Sequence, residues 1–137
     1  MRRVFADTCF RIAILDENDR LHEAAHEASK LLKNAVIFTS ELVLVELANH
    51  FASKGAMFRM AVVRVIERIQ NSPNSRVVYQ TKSLFTGAVE LYRSRNDKGW
   101  SLADCSSMEI MKDYGITECL SHDSHFEQAG FTALLRK

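Results

Sequence analysis

The sequence predicts an α/β fold in which helices cover both faces of a mainly parallel sheet of about four or five strands. Two observations carry this expectation. Short β-branched or aromatic runs at residues 3–6, 35–39, 76–80, 118–121 and 131–135 alternate with stretches of helical period. Parallel neighbours need crossover connections, and those crossovers lay helices over the sheet. The chain has 137 residues, 47% of them hydrophobic, which suits one core and is too short for two, so residues 1–137 are read as a single domain.

Taken in order, Arg3 to Ala6 forms the first strand. The most regular helix follows, with Leu21, Ala24, Ala25, Ala28, Leu31 and Leu32 on a face expected to bury, and His22, Glu23, His26, Glu27, Lys30 and Lys33 elsewhere on it. After the second strand a helix opens behind Thr39 or Ser40, either of which can cap it. Glu41 in its first turn complements the dipole, and Gly55 is the expected stop. A third helix carries Phe58, Val62, Val65, Ile66 and Ile69, and Asn71-Ser72-Pro73-Asn74 ends it as a loop. Further helices are predicted at roughly 82–94 and 102–114 by pattern.

Composition narrows the function classes. Eighteen Lys and Arg against seventeen Asp and Glu leave a net charge of +1, so a polyanion would have to be held by a local patch. Every apolar run is interrupted well short of the roughly 20 residues of a membrane span, and the first residues run straight into a strand without the features of a secretion signal. Cys9, Cys105 and Cys119 show no C-x-x-C spacing, which argues against a disulfide framework or cysteine zinc site. A soluble protein of the reducing cytoplasm is the expectation.

Open α/β sheets hold ligands outside the carboxyl ends of their strands. Asp7 directly follows the first strand, and Asp123 follows the strand ending near Ser121, so both project from one rim. Asp104 lies near a helix start in Ser101-Leu102-Ala103-Asp104, and Glu46 sits inside the apolar Leu42–Leu47 stretch, where a charge needs a partner. Each acid has a simpler reading. Asp7 and Asp123 can cap following helices, Ser101 and Asp104 can form a capping box, and Glu46 can lie on a solvated edge. A metal site explains all four together. Carboxylates without a matched His or Cys set suit Mg²⁺ or Mn²⁺ rather than Zn²⁺. Such ions activate water and stabilise the leaving oxygen in phosphodiester hydrolysis. Without metal the same carboxylates crowd one another and destabilise the fold.

Four short motifs occur in order along the chain: Val4-Phe5-Ala6-Asp7-Thr8, Leu44-Val45-Glu46-Leu47, Trp100-Ser101-Leu102-Ala103-Asp104-Cys105 and Leu120-Ser121-His122-Asp123-Ser124-His125-Phe126. With the closing Glu127-Gln128-Ala129-Gly130-Phe131, they resemble the PIN-domain ribonucleases, most closely the VapC-like toxins of toxin–antitoxin pairs. The resemblance runs nearly end to end. It implies a PIN-like α/β/α sandwich and a metal-dependent endoribonuclease with Asp7, Glu46, Asp104 and Asp123 as metal ligands. It further implies Thr8 and Ser121 as groups that orient carboxylates or ligand waters, an RNA substrate, a homodimer and an antitoxin partner. His122 and His125 are read as loop or helix-start histidines without a catalytic role, Asp97 as outside the ligand set, and Cys9 and Cys105 as small buried thiols.

Competing motifs are weaker. His22-Glu23-Ala24-Ala25-His26 matches the zinc-peptidase pattern H-E-x-x-H, with Glu46 a conceivable third ligand, yet both histidines fall away from the apolar stripe and towards solvent. A haloacid-dehalogenase-type phosphatase needs a second Asp where Cys9 stands, and the paired acids of a receiver domain do not appear. Arg11, Arg93, Arg95 and Lys98 are the expected phosphate contacts, which would make RNA binding salt-dependent. The apolar stretches at Leu42 to Val45 and Met57 to Met60 point to a protein interface. The alternative function is a PIN-like module that binds RNA or protein with little hydrolysis; retention of all four acids favours the enzyme.

Overall fold

The computed structural model describes residues 1–136. In chain order they form β1 (Arg3–Ala6), α1 (Thr8–Leu15), α2 (His22–Leu31), β2 (Val36–Ser40), α3 (Glu41–Phe51), α4 (Ala56–Asn71), β3 (Ser75–Val78), α5 (Lys82–Ser94), α6 (Leu102–Asp113), β4 (Glu118–Leu120), α7 (Ser124–Gln128) and β5 (Thr132–Ala133). All five strands pair in parallel in the order β3-β2-β1-β4-β5. The chain therefore builds outward from β1 to β3, then returns to the other side of β1. β1 and β4 flank the point where the strand order reverses, the crevice where such sheets bind ligands. Their register pairs Ala6 with Leu120, so the residues that follow both strands emerge side by side.

Strand alternation sends neighbouring side chains to opposite layers. Val4 and Ala6 pack with Phe10, Ala13, Ala25 and Leu120, whereas Phe5 joins Phe38, Met108, Ile110, Met111 and Phe126 on the other face. A third cluster of Leu47, Phe51 and Val62 ties α3 to α4, with the Phe51 and Phe58 rings stacked 4.7 Å apart. No helix among the described residues is long and apolar enough to cross a membrane.

The predicted strands and long helices are present, with shifted ends. Ser40 caps α3, its Oγ accepting from the Val43 N–H at 3.1 Å. That helix ends at Phe51, and Gly55 proves to be the residue preceding α4, where its φ of +100° suits a residue without a side chain. Leu31 was expected to bury but is 81% exposed: it lies about 100° round the helix from Leu32, which takes the core position instead. The last strand is only Thr132–Ala133, much shorter than the apolar run around it. Two short helices, α1 and α7, start directly after Asp7 and Asp123.

Phe126 is fully buried and anchors the five-residue α7 against the sheet. Phe126→Ala should lower stability by about 3–5 kcal/mol in urea denaturation, the range for deleting a buried aromatic ring.

Candidate active site

The site starts at the paired carboxyl ends of β1 and β4. The Asp7 N–H donates to the Leu120 carbonyl at 3.2 Å, extending the ladder one residue past both strands. Ser121 is fully buried there, and its Oγ donates to Asp7 Oδ2 at 3.0 Å, accepts from the Asp123 N–H at 3.0 Å and contacts Cys9 Sγ at 3.6 Å. One hydroxyl thus fixes both the Asp7 carboxylate and the turn that presents Asp123. From the other side, Thr8 in the first turn of α1 donates to Glu46 Oε1 at 2.6 Å, which supplies the partner the charge needs within its apolar helix.

Asp104 and Asp123 meet on His125. Its Nδ1 lies 2.8 Å from Asp104 Oδ2 and 3.2 Å from Asp123 Oδ1. These three residues are the group among the described residues whose potential ligand atoms all lie within 4.8 Å of one another. A continuous chain of contacts therefore runs Glu46, Thr8, then across the peptide to Asp7, Ser121, Asp123, His125 and Asp104. All six residues expected at the centre are brought together.

The capping alternatives separate. Asp7 precedes α1 but makes no side-chain cap bond, so its carboxylate is not spent on the helix. Asp123 does cap α7, with Oδ1 accepting from the His125 N–H at 2.9 Å. Asp104 completes a full capping box with Ser101, at 3.0 and 2.9 Å. In Glu46, Asp104 and Asp123 the structural bonds fall on one oxygen, leaving Glu46 Oε2, Asp104 Oδ1 and Asp123 Oδ2 without a hydrogen bond among the described residues. A cap and a ligand are compatible roles for one carboxylate.

The charges are crowded. Burial pushes the Asp7 carboxyl up to about 6, with the Asp104 and Glu46 charges adding to the shift and the Thr8 backbone N–H and Ser121 hydroxyl opposing it. The neighbouring Cys9 thiol is pushed up to about 11 by burial and the Asp7 charge, so it is no nucleophile at neutral pH. Four carboxylates gathered at one rim, with burial holding the Asp7 carboxyl well above its usual range, leave the site short of positive charge. That donor chemistry fits a hard divalent cation.

An open depression of about 380 Å³ gives access to this rim, lined by Asp7, Cys9, Asp123, His122, Arg20 and Arg136 among others. A cavity of about 500 Å³ around Trp100 and Phe131 contains none of the four acids. Of the expected phosphate contacts, Arg93 pairs with Glu90 at 3.5 Å, and Arg95 pairs with Asp97 at 3.0 Å while lying 5.0 Å over the Trp100 ring. Lys98 is half-buried in the loop before Trp100. Arg11 opens onto a separate cavity. Sequence reasoning passed over Arg20, which lines the acidic depression from the loop before α2, and His125, which it read only as a helix-start residue. His125 does sit at the start of α7, and its position two residues after a ligand candidate was the available signal. The H-E-x-x-H pattern holds no such group: His22 Nδ1 lies 2.6 Å from the Ala13 carbonyl, pinning α2 to α1, and His26 is exposed.

Comparison with known proteins agrees with this geometry. The PIN domain family model matches residues 4–132. The 23S rRNA-specific endonuclease VapC20 of Mycobacterium tuberculosis is 30% identical over 134 residues, covering 93% of this chain and 95% of the relative. The crystal structure of that VapC20, described as a sarcin–ricin loop cleaving toxin, superposes with a TM-score of 0.83 at 28% identity, over 94% of this chain and 96% of the other. FitAcB from Neisseria gonorrhoeae shares the fold, with a TM-score of 0.63 at 17% identity over 95% of this chain and 94% of that one. With its four acidic motifs gathered at the β1/β4 crevice, the chain belongs to the PIN-domain family, in its VapC-type branch.

Proposed function

We propose that this protein is a toxin-type endoribonuclease that hydrolyses RNA phosphodiester bonds with Mg²⁺ or Mn²⁺ held by Asp7, Glu46, Asp104 and Asp123. The observation that carries the reading is the convergence of four carboxylates from four separate elements on one open rim. The ion, when bound, supplies the lowered water pKa and the charge neutralisation that attack on a phosphodiester requires. The chain's own residues do the rest. Ser121 holds Asp7 in position, Thr8 holds Glu46, and the capping bonds at Ser101 and His125 fix Asp104 and Asp123, so the ligand oxygens are preorganised. Arg20 at the edge of the acids and Lys98 in the loop before Trp100 offer positive charge to the RNA backbone.

The activity of the VapC20 relatives makes the sarcin–ricin loop of 23S rRNA the first substrate to test. An antitoxin that covers the acidic rim is the partner expected of a toxin. A second copy of the chain would cover the apolar groove of about 400 Å³ between α3, α5 and α6, where Val45 and Phe85 are 47% and 51% exposed.

Incubating the purified protein with an end-labelled sarcin–ricin hairpin and millimolar Mn²⁺ should give cleavage that EDTA stops and Asp7→Asn abolishes; intact RNA under all conditions would sink the reading for that substrate. In melting curves, Mn²⁺ should raise the transition of the EDTA-stripped wild type and leave Asp104→Asn unmoved, since binding to the native state alone adds stability by mass action.

The sign of the pH effect follows from Asp7. Its folded carboxyl sits at about 6 against an ordinary 3.8, so the folded state holds this proton more tightly. The stability it contributes is fully present below pH 4 and is lost as pH rises through 6, in total roughly 3 kcal/mol. Urea titrations in EDTA should show wild type falling relative to Asp7→Asn between pH 4 and 7, while Mn²⁺ affinity rises over the same window as the ligand deprotonates. Arg20→Ala should weaken RNA binding and reduce the slope of log K against log salt by about 1, with the Mn²⁺ melting shift retained.

A further inference from the structure

Arg11 lies one helical turn beyond Asp7 on α1, and no carboxylate among the described residues pairs with it. The Nε and Nη2 atoms are buried and lack a hydrogen-bond partner among the described residues. The nearest aromatic contact is the adjacent Phe10 ring, 5.5 Å from Cζ, which offers no acceptor atom. The side chain as a whole is half-buried, and two buried guanidinium nitrogens left in this state are unfavourable, since such an Arg is ordinarily matched by a carboxylate. Here it opens onto a cavity of about 270 Å³ between α1, α2 and the start of β3, and none of the lining residues is acidic.

The same cavity is lined by Lys33 at the end of α2, by Ser29, and by Ser72, Asn74 and Ser75 of the loop entering β3. Two cations with hydroxyl and amide donors, and no carboxylate, make a binding set for an anion. Burial pulls the Arg11 guanidinium down to about 10, which leaves it charged at neutral pH. A guanidinium fork matches two oxygens of a tetrahedral oxyanion, and the volume holds a phosphate with several waters; Nε and Nη2 are closed to solvent, so the side chain turns into the cavity to meet the ion. None of the four acids lines this cavity.

We propose that the cavity between α1, α2 and the loop entering β3 is a phosphate-binding site, in which Arg11 and Lys33 hold a free phosphate ion or the terminal phosphate of a nucleotide. The site is separate from the carboxylate rim and does not depend on the nuclease reading.

The test uses the whole protein in EDTA, with melting temperature followed as inorganic phosphate replaces chloride at constant ionic strength. A saturable rise of roughly 4 °C at about ten times Kd is expected. Lys33→Met should weaken this response. Arg11→Met should abolish it while raising the melting temperature in chloride, because the unpaired charge is gone. Asp7→Asn should keep the response, separating the site from the acids. Running a nucleoside 5′-monophosphate beside inorganic phosphate distinguishes an esterified from a free ligand, the tighter binder being the source. The proposal is overturned by no saturable response above chloride, by a response undiminished in both Arg11→Met and Lys33→Met, or by its loss in Asp7→Asn. Should Arg11→Met not fold, the wild-type titration and the exposed Lys33→Met decide.

Discussion

The parallel pairing of β1 with β4 is the constraint on which the functional half of the molecule depends. Because Ala6 stands opposite Leu120, the next residue of each strand leaves the sheet at the same level, and Ser121 comes within reach of Asp7. A one-residue slip in this register would turn Ser121 to the other face and break the bond. Burial of Val4, Phe5 and Ala6 on one strand, and of Cys119 and Leu120 on the other, gives both faces of the pair a packing reason to keep the register. The hydrophobic core thereby sets the position of a polar site that contributes nothing to it.

The site works against the stability of the fold that holds it. Asp7 is buried beside the charges of Asp104 and Glu46, and its carboxyl is driven towards neutrality. Natural cores avoid this arrangement unless a ligand compensates it. The protein answers locally, with a hydroxyl donor for Asp7 and for Glu46, a capping box at Asp104, and His125 between Asp104 and Asp123. These bonds are directional and fall largely on single carboxylate oxygens, so they hold the acids without filling the coordination space between them. One turn further along α1, Arg11 shows the opposite imbalance: a cation with no carboxylate paired to it among the described residues. One short helix thus has an excess of negative charge at its start and an unmatched positive charge one turn later.

Much of this was legible in the sequence. The alternation of strand-like and helix-like runs was sufficient for the fold class, because hydrophobic period reports local structure directly. The four acids were legible because they follow strands or sit in short motifs with a shared order, and Thr8 and Ser121 because they stand next to those motifs. Element ends were less legible. Gly55 reads equally well as a stop or a start, and the structure uses it as a start. Leu31 reads as core beside Leu32, but the rotation of α2 on the sheet admits only one of the two.

What the sequence by itself determined is therefore the class of fold and the family, and it singled out the four acids, since these depend on residue type, motif order and local period. Tertiary structure decided which side chains share a space. His125 joins the acids because α7 turns back over the start of α6, and Arg20 reaches the rim because the loop before α2 does. Arg93 and Arg95 are taken up by Glu90 and Asp97. Arg11 opens onto a separate cavity although it is only about one turn from Asp7, because Asp7 is the cap residue outside the helical turns while Arg11 packs towards α2 and the loop entering β3. Those outcomes rest on packing between elements far apart in the chain, and no local pattern encodes them.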